Sequence, residues 1–298
     1  MRKLLFLVTP NAGQRRVNKS LTDIIGNFTE GGYEVTVFLT NGPGSGTQIV
    51  QERAKDYDLV VCAGGDGTLN ETVTGVLRAG AVCPVGYIPC GSTNDFAYPM
   101  KLTTDVVQAA KDIMMGAPVE YDVGRWGDRY FVYIASFGAF TRVSYTTPQN
   151  LKNALGHLAY GLSGIQELPQ IRNIPMALEL EGQVLDGEYL FGAVSNSTSV
   201  GGVFTLDASQ VDLRDGKFEV FLVRMPRDMA ELTQCAAALQ NHTYDCAAIT
   251  FRSVSRRRGH QDPARLWTLD GERAEGADVV EIENLHRAIR LVHRQEEP

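Results

Sequence analysis

Through about residue 125 the chain alternates apolar runs of strand length with segments of helical character, and this alternation constrains the fold more than any other feature. The runs are "KLLFLV", "YEVTVFLT", "DLVVCA" and "PVGYIP"; between them the sequence predicts helices over 18–31, 46–55 and 68–79. Strands separated by helix-length crossovers pair in parallel, because no tight turn can reach a parallel neighbour. The expected first half is therefore an α/β doubly wound sheet with its ligands outside the carboxyl ends of the strands. "MRKLLFLVTPNAG" reads as the first buried strand and not as a signal peptide, since its apolar run stops at Val8.

After "VEYDVGRWGDRYFVYIASFG" the rhythm changes. Strand-like stretches follow through short turns, "MALELEG", "EYLFGAVSN", "GKFEVFLVR", "AAITFRSV", "ARLWTLDGE" and "ADVVEIE", and predict an antiparallel β-sandwich. Helical stretches over 151–168 and 228–239 interrupt it. The domains are expected at 1–125 and 126–298, with the closing "AIRLVHR" a strand of either one. A net charge of -7 argues against broad nucleic-acid binding, which needs basic surfaces. No run approaches the roughly 18 apolar residues of a spanning helix. The five cysteines are odd in number and lack metal-ligand spacing, which suits a reducing cytosol.

The run "VVCAGGDGTLNETV" carries the chemistry of the first half. Gly64, Gly65 and Gly67 offer bare backbone to a phosphate, yet Asp66 among them would repel it. A divalent cation removes the conflict, because carboxylate and phosphate oxygens are both hard ligands suited to magnesium. The loop thus predicts a magnesium-nucleotide; the plainer alternative is a tight turn with Asp66 as a cap. "YIPCGSTNDFA" repeats the layout, with Gly91, Ser92 and Thr93 before Asn94 and Asp95 open a helix. Parallel strands set their terminal loops side by side, so Ser92 and Asp95 are expected in the same cleft as Asp66. The first strand ends in "TPNAGQRR", where Asn11, Ala12 and Gly13 could wrap a phosphate beside Arg15 and Arg16.

Together "GGDGTLNE" and "GSTNDFA" resemble the diacylglycerol kinase catalytic fold, that of bacterial lipid kinases related to sphingosine and ceramide kinases. The resemblance continues in family order through "KNALGHLAYGL", "SNSTSVGGVF", "VDLRDGKFEV" and "LDGE". The first motif alone is shared with NAD kinases and, more loosely, with phosphofructokinases. By this resemblance Thr9, Pro10, Asn11, Ala12, Gly13, Thr40, Gly64, Gly65, Asp66, Gly67, Thr68, Leu69, Asn70, Ser92 and Asp95 line the ATP site. Asp66, Asp95 and Asp122 would support magnesium and its water network. The first loop departs from the family's Asn-Pro-x-Ser-Gly, having Thr9, Pro10, Asn11, Ala12 and Gly13.

In "TLDGE" the resemblance places the proton acceptor, Glu272 first and Asp270 second, although Asp-Gly is also a common hairpin turn. In "VDLRDGKFEV" it implies a structural magnesium on the Asp215 side chain with the backbone of Asp212 and Lys217. The stripe Leu151, Leu155, Leu158, Leu162 and Ile165 would lie beside the acceptor cleft. Arg256, Arg257 and Arg258, with Arg265, read as a solvated loop, here expected to touch anionic lipid head groups. The whole implies a cytoplasmic, magnesium-dependent kinase working at the inner face of the membrane, passing the γ-phosphate of ATP to a lipid hydroxyl, foremost diacylglycerol. A homodimer is implied by resemblance only. The alternatives are an NAD kinase and a catalytically inactive nucleotide- or lipid-binding module.

Overall fold

The structure, a computed structural model, describes residues 1–12, 16–92, 94–138, 174–200, 204–206, 208–241, 243–244, 246–260, 266–276 and 279–294. The expected helix over 151–168, with Gly13, Arg15, Thr93 and Arg265, lies outside these residues. Two compact units make up the chain: Met1–Val123 with His286–Pro298, and Gly124–Leu285.

The first unit is built on parallel strands β1 (Arg2–Val8), β2 (Tyr33–Leu39), β3 (Leu59–Gly64) and β4 (Val85–Pro89), in the order β2-β1-β3-β4. Helices α1 (Arg16–Glu30), α2 (Ser45–Arg53), α3 (Asp66–Ala79) and α4 (Val106–Met115) complete it. Every residue of β3 is buried, as a strand covered on both faces must be. Leu4, Phe6, Val61, Ala63 and Ile88 pack with Ile24 and Phe28 of α1 and with Ala109, Ala110 and Ile113 of α4. The chain leaves β1 for β2 on one side and returns to β3 on the other, so the order reverses at the β1–β3 boundary, where such sheets bind ligands.

The helix expected to open at Asn94–Asp95 does not form there. Turns run over 95–101, with Asn94 and Lys101 both left-handed at φ 54 and 51 and Pro99 between them. Instead α4 starts after Asp105, whose Oδ1 accepts from Val107 N and Gln108 N at 3.0 Å. This N-cap was present in the sequence as a sign of a helix that the strand-by-strand reading passed over.

The remaining strands are β5 (Ala117–Trp126), β6 (Arg129–Phe131), β7 (Ile134–Gly138), β8 (Ile174–Leu180), β9 (Gln183–Ser195), β10 (Ser199–Val200), β11 (Phe204–Thr205), β12 (Phe218–Arg224), β13 (Ile249–Val254), β14 (Arg256–His260), β15 (Leu266–Leu269), β16 (Glu272–Glu275) and β17 (Val279–His293). One helix, α5 (Met229–Gln240), falls where 228–239 was expected. In the second unit the pairing is antiparallel, and the long β9 belongs to two arms. Its first half pairs with β8, which continues to β14 and β17; its second half pairs with β7 and β12. From there β7 leads to β15 and β16, and β12 to β13. Met176 and Leu178 of β8 meet Phe218, Val220 and Leu222 of β12 around Trp267. Trp267 lies 4.5 Å from Trp126 and 4.6 Å from Phe137, ring centre to ring centre. These are the two facing layers of an antiparallel sandwich.

The arginine triplet 256–258 is not a loop. It forms β14, hydrogen-bonded to β8 on one side and β17 on the other. The long β17 then runs on into the first unit, where Leu291 and Val292 pair in parallel with Val85 and Gly86 of β4. Among the described residues no helix is long and apolar enough to cross a membrane.

Candidate functional site

Backbone bonds bring the strand ends of the first unit into line. Thr9 N donates to Ala63 O at 3.0 Å, Thr40 N to Val8 O at 2.9 Å and Cys90 N to Gly64 O at 2.8 Å. Across them runs a chain of hydroxyls: Thr40 Oγ1 donates to Thr9 Oγ1 at 3.2 Å, and Thr9 Oγ1 shares a bond with Thr68 Oγ1 at 2.8 Å. Helix α3 begins directly after β3, with Gly65 as an N-cap that has no side chain to offer. The N-terminal turn of a helix has N–H groups without intrahelical acceptors and a partial positive charge, the ordinary provision for an anion.

The two glycine motifs touch. A Cβ on Gly91 would lie 2.5 Å from Gly65 Cα, and one on Gly64 would overlap the Thr68 side chain. Asp66, in the first turn of α3, joins them: Oδ2 accepts from Asp95 N at 2.9 Å and Oδ1 from Phe96 N at 3.1 Å. Its charge is thus placed to organise the second loop. Burial, and then the neighbouring Asp66, push the Asp95 carboxyl up to about 6. Asn94 closes the same turn, its Oδ1 accepting from Gly91 N at 2.8 Å.

The other expected residues fall as follows. Pro10, Asn11 and Ala12 follow β1, with Ala12 N bonded to Thr9 O at 3.1 Å. Gly67 and Asn70 lie in the first turns of α3, Leu69 is buried in the core and Ser92 is exposed in the second loop. Asp122 is held by β17: its Oδ1 accepts from Arg287 N at 2.7 Å and faces His286 Nδ1 at 3.0 Å. Among the described residues no group of three or more His, Cys, Asp and Glu side chains is arranged to hold a metal ion.

Glu71 was overlooked in the sequence. Its Oε1 accepts from Gly44 N and its Oε2 from Gly46 N, both at 2.7 Å, while Thr47 Oγ1 donates to its carbonyl at 3.2 Å. The N-cap of α2 is Gly44, at φ 81 and without a side-chain cap, so a carboxylate from α3 does the capping. The sign in the sequence was a helix starting in "GPGSG" with no acid in its first turn.

In the second unit "LDGE" makes the hairpin between β15 and β16, with Asp270 and Gly271 at φ 47 and 85. The buried Asp270 carboxylate accepts three backbone N–H groups, Val132 at 2.5 Å and Tyr133 and Ile134 at 3.0 Å. The Glu272 side chain is 56 % exposed, with Arg129 Nη2 at 3.8 Å. Tyr133 O in turn accepts from Asn196 N at 2.8 Å and Ser195 Oγ at 3.3 Å, which ties the buried "SNS" segment to the same turn.

Farther along this unit, Asp212 Oδ1 accepts from Arg214 N at 3.0 Å, Asp215 Oδ1 from Lys217 N at 2.9 Å, and Lys217 O from Asn284 Nδ2 at 3.0 Å. Glu219, two residues on, is 1% exposed. Its Oε1 has a long 3.5 Å bond from Ser253 Oγ, and its Oε2 has no hydrogen-bond partner. Burial, followed by the charge of Asp215, pushes this carboxyl up to about 8.

Residues 3–126 match the diacylglycerol kinase catalytic domain family. The chain is 32% identical over 299 residues to a diacylglycerol kinase of Bacillus subtilis (strain 168), covering 99% of this chain and 98% of that one. It is 34% identical over 235 residues to a diacylglycerol kinase of Staphylococcus carnosus (strain TM300), covering 78% and 76%. A crystal structure described as a diacylglycerol kinase from Bacillus anthracis str. Sterne matches with a TM-score of 0.78 over 98% of this chain and 97% of that one; at 23% identity it speaks for the shared fold. With the glycine loops in contact and a relative similar over nearly its whole length, the chain belongs to the diacylglycerol kinase family and is a lipid kinase.

Proposed function

We propose that the protein passes the γ-phosphate of ATP, accompanied by magnesium, to the free hydroxyl of diacylglycerol, giving phosphatidic acid and ADP. The observation that carries this reading is the Asp66 carboxylate bonded to Asp95 N and Phe96 N, which holds the two glycine loops side by side at the ends of β3 and β4. In this reading the backbone from Gly64 to Thr68 meets the triphosphate, with the hydroxyls of Thr9, Thr40 and Thr68 beside it. The Asp66–Asp95 pair fits a cation, since burial and mutual repulsion already hold Asp95 up. Magnesium, when bound, spreads the charge of the phosphates.

The chain's own part in the transfer is to hold donor and acceptor in line and to take the hydroxyl proton. As the lipid oxygen bonds to the γ-phosphorus and the bond to ADP breaks, Glu272 accepts that proton. Its exposure leaves it accessible to a substrate, whereas Asp270, engaged by three N–H groups, anchors the turn. The 212–217 turn holds a second, structural cation in this reading, and the orphaned Glu219 oxygen beside it fits that role. The lipid is collected by transient contact at a membrane surface.

The test is transfer of label from γ-labelled ATP, with and without magnesium, to a panel of lipids in mixed micelles and to NAD. Label should enter diacylglycerol, depend on magnesium and vanish with Asp66→Ala. Label in NAD but in no lipid would overturn the assignment, and equal label with the variant would trace the activity to a contaminant.

A further inference from the structure

Glu219 is a buried acid with a carboxyl oxygen that lacks a hydrogen-bond partner. It sits on β12 opposite Ser195 of β9 and Ser253 of β13, on the other face of the strand from the core residues Phe218, Val220 and Leu222. A buried polar atom ordinarily finds a partner, and an exception calls for an ion, a water or a function. Here one carboxyl oxygen has only a long serine bond and the other has none. The charges that bear on Glu219 are those of Asp215 and Asp212, so its surroundings add negative potential. Such a site is poorly suited to a bare carboxylate and well suited to one facing a hydrated divalent ion.

We propose that Glu219 belongs to a divalent-cation site at the 212–217 turn, where its Oε2 accepts a hydrogen bond from a water on the ion. An outer-shell place agrees with the absence, among the described residues, of three acidic or His/Cys side chains close enough to share an ion. It also suits magnesium, which keeps several of its waters when proteins bind it. Lys217 O, the backbone group nearest in sequence, is oriented by Asn284 Nδ2, which fixes the turn to β17. Glu219 is a positioning residue in this scheme: it orders the ion's water shell and supplies charge that the exposed Asp215 alone does not. The inference rests on the structural cation of the proposed function and not on the identity of the lipid.

The experiment uses the full chain, stripped with a chelator and free of nucleotide and lipid. Mn(II) is titrated in while the free ion is followed by electron paramagnetic resonance, and the melting temperature is recorded with and without magnesium. The wild type should bind one ion at a site lost with Asp215→Asn. Glu219→Gln should bind it about 10- to 100-fold more weakly, the usual effect of losing an outer-shell partner. With chelator the Gln variant should melt no lower than the wild type, since the carboxyl it replaces is itself costly to bury beside Asp215, yet magnesium should raise its melting temperature less. Should the Gln variant fold poorly, Glu219→Asp, which keeps the charge, should bind the ion more tightly than it does. Equal affinity of wild type and Glu219→Gln, an Asp variant no better than Gln, or no ion lost with Asp215→Asn would overturn the proposal. A Glu219-dependent ion in a protein that makes no phosphatidic acid would overturn the diacylglycerol assignment alone.

Discussion

Replacing Gly91 by alanine should disable the nucleotide site by parting its two loops. The new Cβ would lie 2.5 Å from Gly65 Cα, 3.2 Å from Gly65 N and 2.9 Å from Asn94 Oδ1. Carbon atoms in contact settle at about 3.5–4.0 Å, so the loops must separate by about 1 Å. The two Asp66 bonds, now 2.9 and 3.1 Å, would stretch toward 4 Å, past the range of a hydrogen bond. Overpacking of this kind costs about 1–3 kcal/mol and the loss of charge-assisted bonds about 1.5–3 kcal/mol more, so the first unit should lose about 2.5–6 kcal/mol. A displacement near 1 Å at a reacting centre corresponds to about 100-fold in rate. The assays are urea unfolding and kcat/KM for label transfer, with Gly26→Ala as control, because nothing lies within 4 Å of a Cβ there. If Gly91→Ala kept kcat/KM within about threefold and its unfolding midpoint matched the control, contact between the loops would not be what organises the site.

Glu71→Ala removes the acceptor of the buried Gly46 N–H and the exposed Gly44 N–H, and should cost about 2–4 kcal/mol in urea unfolding, with Glu71→Gln recovering about half. Glu272→Gln should lower kcat about 10²- to 10⁴-fold without changing the melting temperature, while Asp270→Ala, which strands three N–H groups, should destabilise the second unit by several kcal/mol, roughly 1–3 for each. Asp95 gives a pH test. Its carboxyl stands at about 6 in the folded chain against 3.8 in the ordinary state. Between these values the folded chain keeps a proton that the unfolded chain has lost, so this group lowers stability as pH rises through the window. In chelator, Asp95→Asn should therefore be more stable than wild type near neutrality and should lose that advantage below pH ~4; a constant difference across the range would contradict the assignment.

What could be read from the sequence followed the range of the forces involved. The parallel sheet was legible because β1 and β3 are buried on both faces and read as unbroken apolar runs. The meeting of "GGDGT" with "GSTND" followed from the pairing of adjacent parallel strands. The anchoring of Asp270 was hidden, because its N–H donors lie 136 to 138 residues away. Glu219 was hidden for a different reason: alternation along β12 sends it away from the core, and only the cover on the far face buries it. The arginines of β14 read as polar and loop-like, since their strand is specified by its partners β8 and β17 more than by its own side chains.

The most direct trial of the account is nucleotide binding by the intact protein, measured by calorimetry with and without magnesium for the wild type and for Asp66→Asn. ATP should bind tightly only with the metal, and the substitution should weaken it at least tenfold by removing the charge that answers the cation. Equal affinity with and without magnesium, or an Asp66→Asn protein that binds magnesium-ATP as well as the wild type, would contradict it.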